Sequence, residues 1–514
     1  MLFNSPIFIY FFLPVVVFIG LMLKKSGEDN SAFLVFISAA SIVFYGYSEF
    51  EWVFIIVLSI VVNYTAGDFI IRSNNPGSKS GGGVAKPVLI AGITFNLLLL
   101  FYFKYVDFLL LQIDQLFGGN LPSLGVVLPI GISFYTFQQI AFLADAYRGE
   151  VRDLTFKRYV FFVTFFPQLI AGPIVHHREI LPQLAGRPRT DLLANLTVGL
   201  CTFLIGLTKK VLFADSFARI ATPIFQTADA GGTLSSAEAW TGAIAYALQI
   251  YFDFSGYSDM AIGIALMFGI YLPINFASPY KSVGIIEFWR RWHITLSRFL
   301  RDYLYIPLGG NQRGPARRYV NLMLTMVLGG LWHGAGWGFV IWGLLHGLFL
   351  AFEHALRAVL GTTHRPRPAR WQLGLGWALT FGLVVLAWVP FRATTLEGVQ
   401  TLWAGMAGFS AAASGDAALL QSDYFAWIAV GLLGVLLLPN SQEIVRRLFG
   451  YELGTGQAAR TGNEGIISPA PPELMGASLQ RRALQVSLAA SLGFGAAFGI
   501  AFNNQISEFI YFQF

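Results

Sequence analysis

The sequence predicts an all-α, polytopic integral membrane protein, and three observations carry that prediction: a shortage of charge, an excess of apolar surface, and apolar runs that recur at bilayer length. Of 514 residues, 55% are hydrophobic and 12% charged, with a mean hydropathy of +0.61, whereas an ordinary globular chain carries about 25% charge. One soluble core cannot hide that much apolar surface, so a bilayer has to act as solvent. The 48 Phe, 20 Tyr and 12 Trp agree, because aromatic rings suit both hydrocarbon and the headgroup interface.

Apolar segments near the roughly 20 residues that one helix needs fall at 6–23, 31–47, 52–71, 88–111, 127–147, 192–213, 238–271, 320–356, 372–390, 424–439 and 484–502. The segments 238–271 and 320–356 are long enough for a pair of spans or one strongly tilted span, giving about 11–13 membrane segments in a single domain. The opening MLFNSPIFIYFFLPVVVFIGLMLKK lacks a basic leader region and a small-residue cleavage site, and reads as a retained first span. Lys24 and Lys25 follow span one, Arg72, Lys79 and Lys86 follow span three, and Arg148, Arg152, Lys157 and Arg158 follow span five; YSEFE and GGNLPSLG have no Lys or Arg. The positive-inside rule then puts the N-terminus outside and the basic loops in the cytoplasm. The net charge of +6 therefore reports orientation rather than nucleic-acid binding. The stretch FFVTFFPQLIAGP at 161–173 is short, contains Pro167 and Pro173, and reads as a re-entrant hairpin. Such broken backbone survives at membrane depth only where protein or a water-filled cavity satisfies it. Segment 77–83 is a short flexible loop, and 405–423 and 454–482 read as extramembrane connections.

Cys201 is the only cysteine, which excludes an intrachain disulfide and a multi-cysteine metal site. His176, His177 and His364 sit in polar loops and His354 ends an apolar segment beside Glu353 and Arg357, so these four read as surface or interface residues. His333 differs, lying in LTMVLGGLWHGAGWGFVIWGLLHG among Gly and Trp. An ionisable side chain at membrane depth is a functional candidate, and the alternative is a ring that hydrogen-bonds another span across tightly packed glycines. His346 follows 13 residues later, about 220° around an ideal helix, which argues against a paired-histidine metal site.

The stretch IIEFWRRWHITLSRFLRDYLYIPLGGNQRG at 285–314 is too charged to span lipid. With Arg290 at 0°, Arg301 falls near about 20°, Arg298 near about 80° and Arg291 near about 100°, while Trp289, Trp292, Leu296, Phe299 and Leu300 take the opposite arc. That pattern is an interfacial amphipathic helix, either anchored on anionic lipid or cradling a phosphate-bearing donor in Arg forks. Arg313, Arg317 and Arg318 extend the basic ground. Trp289, Arg290, Arg291, Trp292, Arg298 and Arg301, with Trp332 and Trp337 beside His333, are the candidate substrate-binding residues. YFDFSGYSDMAIG at 251–263 places Asp253, Ser255, Ser258 and Asp259 in an apolar run. Buried charges need partners, so structural pairing ranks first there; orienting an imidazole, pairing with the basic helix and carrying protons stay open.

WHGAGWGFVIWGLLHG around His333 and FWRRWHITLSRFLRDYLYIPLGG around His293 resemble the membrane-bound O-acyltransferase family. FNSPIFIYFFLPVV, PIGISFYTFQQIAFLADAYRG, FFPQLIAGPI, YFDFSGYSDMAIGIALMFGI and SEFIYFQF extend the resemblance over nearly the whole chain, with 405–482 poorly matched. The resemblance implies a ring of membrane helices around a central funnel, His333 as catalytic residue, and His293 as a second active-site position. It implies no metal and no cofactor, with acetyl-CoA or another acyl thioester as donor substrate. It further implies acetyl transfer across a bacterial inner membrane for O-acetylation of an extracytoplasmic polysaccharide, alginate foremost, with cellulose, peptidoglycan or teichoic acid as alternatives. Membrane lipids and a periplasmic acetyltransferase or polysaccharide-modifying protein are the implied partners. Without a nucleophilic cysteine or a GxSxG elbow, direct transfer with neutral His333 as general base is favoured over an acyl-enzyme. The competing reading is a polysaccharide or proton-coupled transporter using Asp253, Asp259 and His333 as a relay.

Overall fold

The computed structural model describes residues 1–24, 30–74, 83–119, 121–151, 154–184, 192–360, 369–409, 420–454 and 509–510. Every regular element among them is helical, as the patterning predicts. The expected span 484–502, His364, Lys25, Lys79 and Arg152 lie outside the described residues.

Helices α1 (Phe8–Leu23), α2 (Ser31–Gly46), α3 (Glu51–Ser73) and α4 (Ala85–Lys104) form the first group. The short α5 (Val106–Phe117) leads to a loop held by Asp107, which accepts from the Leu124 and Val126 amides at 2.7 and 3.0 Å, and then to α6 (Ile132–Tyr147). The predicted hairpin is two short helices, α7 (Phe156–Thr164) and α8 (Phe166–Leu169), broken at Phe165 with Pro167 in the first turn of α8. Residues 161–177 are buried throughout. This corrects the surface assignment of His176 and His177: they are 2% and 5% exposed, and α9 (His177–Ile180) starts inside the protein. A polar VHHRE string looks like a solvated loop, but Asp145 and Tyr303 give those imidazoles partners in the interior.

The axis of the fold is α12 (Ser236–Met267), 32 residues long and so about 48 Å. It starts at a capping box in which Ser235 and Glu238 bond each other's backbone amides. α10 (Leu192–Thr208) and α11 (Asp215–Asp229), joined by the π-helical Lys209–Ala214, lie along it. The long run 238–271 is thus one deeply buried helix. Contact with α10 runs backbone to backbone at two glycine pairs: a Cβ at Gly199 would lie 2.7 Å from the Gly263 carbonyl oxygen, and one at Gly256 2.7 Å from that of Gly206. Small residues permit such close approach. Beside this seam, Lys209 pairs with Asp259 at 2.7 Å and with the Ser441 hydroxyl at 2.6 Å. Lys210 pairs with Asp253 at 2.7 Å and Asp215 at 3.1 Å. Both carboxylates of the predicted cluster are therefore paired, but with α10's continuation rather than with the basic helix.

The basic stretch corrects a second expectation, because it is not one continuous amphipathic helix. It breaks at Trp292–His293 into α13 (Ile285–Arg291) and α14 (Ile294–Leu300), which runs on as the π-helical Arg301–Tyr305. The segment 320–356 is a pair, α15 (Pro315–His333) and α16 (Trp337–Val359), followed by α17 (Arg370–Arg392), α18 (Leu396–Met406), α19 (Ser422–Leu437) and α20 (Ser441–Phe449). Among the described residues five helices are long and apolar enough to cross a membrane, or six if the pair Asp423–Leu437 and Ser441–Phe449, bent by 57°, is one span. Shorter apolar helices at Phe8–Leu23 and Ser31–Gly46 join them. Five or six is the number that pass by length and apolarity among the described residues; the short apolar helices and the buried α12 cover further expected runs, and 484–502 lies outside the described residues.

Gly206→Leu, which would drive a side chain into α12, should destabilise the fold by about 1–3 kcal/mol or more. Thermal unfolding in detergent reads this as a lowered midpoint, while Gly434→Ala, where a methyl meets open space, should leave the midpoint within error.

Candidate active site

His333 is the last residue of α15, and the chain turns through Gly334 and Gly336 before α16 starts at Trp337. Glycine is required here by crowding: a side chain at Gly330 would strike the Phe339 carbonyl, and one at Gly338 that of Pro390. The turn folds the His333 ring, 5% exposed, into an aromatic cage. Ring centroids lie 4.9 Å away for Trp332, 5.1 Å for Trp342 and 5.1 Å for Phe391.

His293 enters the same cage, its ring 6.5 Å from His333 and 6.2 Å from Trp332. It reaches that place through a left-handed backbone, φ 43° and ψ 54°, a conformation that costs a non-glycine residue about 1–3 kcal/mol. Neighbouring elements hold the strain. The Ile294 amide donates to the Asn275 carbonyl at 3.0 Å, and the Thr295 hydroxyl donates to Asn275 Oδ1 at 2.6 Å. The same Thr295 oxygen accepts from the Ile174 amide at 3.0 Å, tying the hairpin to the histidine break. The Phe254 ring closes the other side at 4.6 Å.

A third imidazole was missed by reasoning from a regular helix. His346 is fully buried, 4.9 Å from the Trp342 ring, with its Nδ1 accepting from Trp289 Nε1 at 3.3 Å. The break after His333 cancels the 220° separation, so the two histidines flank Trp342; the repeated glycines of WHGAGWG were the available signal. No group of three or more potential metal ligands occurs among the described residues.

Beside the cage lies a pocket of about 380 Å³. Buried Leu300, Met326 and Leu350 line it together with the more exposed Arg301, Arg318 and His354. Arg318 Nη2 is 2.6 Å from His354 Nδ1. Trp289 belongs to the pocket wall and also packs on Trp342 at 5.7 Å, so two aromatic rings separate the pocket from His333.

Of the predicted substrate-binding residues, Trp289 and Arg301 thus line the pocket, Arg301 with its guanidinium forked on Asp302 at 2.6 and 3.1 Å. Arg290 is exposed, and Arg291 pairs with Glu287 at 2.7 Å. Arg298 forms a fork on Glu179 at 2.6 and 2.9 Å. Trp292 is buried against Phe288 and Trp388, Trp332 stacks on Phe137, and half-exposed Trp337 bonds Gln112 at 2.8 Å. Near the Arg298 fork, burial holds the His176 imidazole down at about 4, so a neutral ring meets the Tyr303 hydroxyl at 3.0 Å. Two residues absent from the sequence reading bond the last carbonyls of α15: Lys104, at the end of α4, bonds those of Trp332 and His333, and Tyr105 bonds that of Leu331.

A helical membrane bundle that buries imidazoles among aromatic rings, beside a pocket with a basic end, defines a multi-pass membrane protein. The chain belongs to the membrane-bound O-acyltransferase family, which matches residues 94–391, and it is an O-acyltransferase. It is similar to the peptidoglycan O-acetyltransferase of Helicobacter pylori, 42% identical over 80% of each chain. It is also similar to the probable alginate O-acetylase AlgI of Azotobacter vinelandii, 37% identical over 100% of both chains. A weaker likeness joins it to the teichoic acid D-alanyltransferase of Streptococcus thermophilus, 26% identical over 55% of this chain and 72% of that one.

Thr295→Val would leave the Ile174 amide without its acceptor and Asn275 Oδ1 with only the longer bond from the residue-295 amide, 3.3 Å against 2.6 Å from the hydroxyl. A buried group left so costs about 1–3 kcal/mol; the expected result is a lower thermal midpoint together with reduced acyl transfer, as the His293 backbone relaxes.

Proposed function

We propose that this protein moves an acetyl group from cytoplasmic acetyl-CoA across the bacterial inner membrane for O-acetylation of an envelope polysaccharide, with alginate as the acceptor. The observation that carries the reading is the buried His333 cage set beside a pocket whose exposed end holds Arg301 and Arg318. Arginine forks suit the phosphates of a nucleotide thioester, and Arg313, with Arg317 and Arg318 in the first turn of α15, forms basic ground that favours a cytoplasmic side. A full-length likeness to alginate O-acetylases supports the acceptor. The likeness to a peptidoglycan O-acetyltransferase, at higher identity over a shorter span, favours peptidoglycan as the second reading.

In the proposed reaction neutral His333 takes the proton of an acceptor hydroxyl as its oxygen attacks the thioester carbonyl carbon. The tetrahedral oxyanion is stabilised from the His293 side. Collapse breaks the carbon–sulfur bond, and the leaving thiolate takes the proton from the His333 imidazolium, which restores the base. The hydroxyl belongs to the polysaccharide or to a periplasmic partner that completes delivery. Asp253 and Asp259, closed in lysine pairs, weigh against a proton-relay transporter.

Purified full-length protein incubated with labelled acetyl-CoA and either mannuronate oligomers or peptidoglycan fragments should release CoA and label one acceptor. His333→Ala should lower turnover by about 10²–10⁴-fold, the scale of a lost general base; a His333→Ala protein with full turnover removes the assignment. Arg318→Ala should raise KM for acetyl-CoA with kcat retained.

A further inference from the structure

We infer that Lys104 is a positioning residue that sets His333 for reaction by capping the C-terminus of α15 from a neighbouring helix; this rests on His333 being the reactive base. A helix leaves its last four carbonyls without intrahelical partners, and they form the negative end of its dipole. Many helices resolve this with a left-handed glycine. α15 does not, since Gly334 is extended, with φ −165°. The carbonyls are met from outside instead. Lys104 Nζ donates to the Trp332 carbonyl at 2.6 Å and to the His333 carbonyl at 2.8 Å, and lies 3.3 Å from the Ser133 hydroxyl. The Tyr105 hydroxyl donates to the Leu331 carbonyl at 2.6 Å.

An ammonium has three N–H donors, and these three contacts use all of them, so its direction is fixed. Protonated, it also sets a positive charge against the negative end of the helix dipole where water is scarce, which strengthens each bond. The Trp332 indole donates to the Ser133 carbonyl at 3.2 Å, anchoring the adjacent residue to α6. The aromatic cage sets the plane of the His333 ring, while the Lys104 cap sets the height of its backbone. Neither lysine nor tyrosine reaches the reacting atoms in this arrangement. Their effect passes through the histidine, and a misplacement of about 1 Å is enough to cost on the order of 10²-fold in rate.

The test compares full-length wild type, Lys104→Met, Lys104→Arg, Tyr105→Phe and His333→Ala in one detergent preparation, reading kcat and KM for acetyl-CoA alongside the thermal midpoint. Lys104→Met should lower kcat by about 10–100-fold with KM within about twofold, and Lys104→Arg, which restores cationic donors, should recover part of the loss. Should Lys104→Met fail to insert, Tyr105→Phe decides, with an expected several-fold drop in kcat at unchanged KM. Wild-type kcat in Lys104→Met, or in Tyr105→Phe where that variant decides, overturns the inference, as does a rise in KM equal to the fall in kcat. If His333→Ala keeps its turnover, the underlying site assignment falls; if His333→Ala is inactive while Lys104→Met runs at full rate, only the positioning role falls.

Discussion

Backbone that stops being helical at membrane depth must find its hydrogen bonds inside the protein, and that constraint organises everything around the site. Three breaks converge there. At the first, the Phe166 amide donates to the Ser41 hydroxyl, while Gln138 and Gln168 both donate to the Phe162 carbonyl at 2.7 and 2.8 Å. At the second, Asn275 and Thr295 hold the left-handed turn at His293. At the third, Lys104 and Tyr105 receive the end of α15. Each break is supported by a residue from a distant part of the chain, and one residue, Thr295, serves two of them by accepting from Ile174. Breaking the helices delivers two imidazoles to one cage; unbroken helices would have pointed them along separate faces.

The legible part of the sequence follows from the same physics. Hydropathy and the scarcity of charge make the all-helical membrane fold visible, and an imidazole inside LGGLWHGAGWG stands out because desolvating it needs a reason. His293 was brought forward by resemblance rather than by its wheel position, and the wheel itself failed at that residue. A left-handed non-glycine residue has no local signature; it is imposed by Asn275 and Ile174, far away in the chain. A regular helix would turn His346 away from His333, and only the break after α15 brings both rings to Trp342. His176 and His177 looked solvated because their burial depends on Asp145 and Tyr303, on two other elements. Lys104 lies inside the apolar run 88–111, and only the fold, which ends α4 at that residue, turns it onto carbonyls.

The buried lysine–aspartate pairs have a different role from the cage. Desolvating two ion pairs costs energy that their attraction only roughly offsets, so they are poor stabilisers. They do fix register: α10 and α12 meet at glycines spaced seven apart on each helix, a surface smooth enough to slide. Lys209 on Asp259 and Lys210 on Asp253 allow one alignment. The Ile510 amide adds a bond to Asp253 at 2.9 Å, so the described end of the chain seats on the same pair. Holding α12 in place also holds Phe254, which packs on His293, so charges that take no part in transfer still set one wall of the cage.

The pocket and the cage are best understood as two compartments with an aromatic partition. Trp289 faces the pocket, Trp342 faces His333, and His346 touches both rings. A donor held by its charged end among Arg301 and Arg318 would keep those phosphates in the polar mouth, while its thioester approaches an enclosure with little water. Such separation matters chemically, because an activated acyl group in a wet site is lost to hydrolysis, whereas exclusion of water also strengthens each electrostatic contact made to the oxyanion. On the proposed reading no nucleophilic intermediate is needed: proton removal and carbonyl polarisation would come from two rings held by the surrounding structure, His333 at the capped end of α15 and His293 at its left-handed turn.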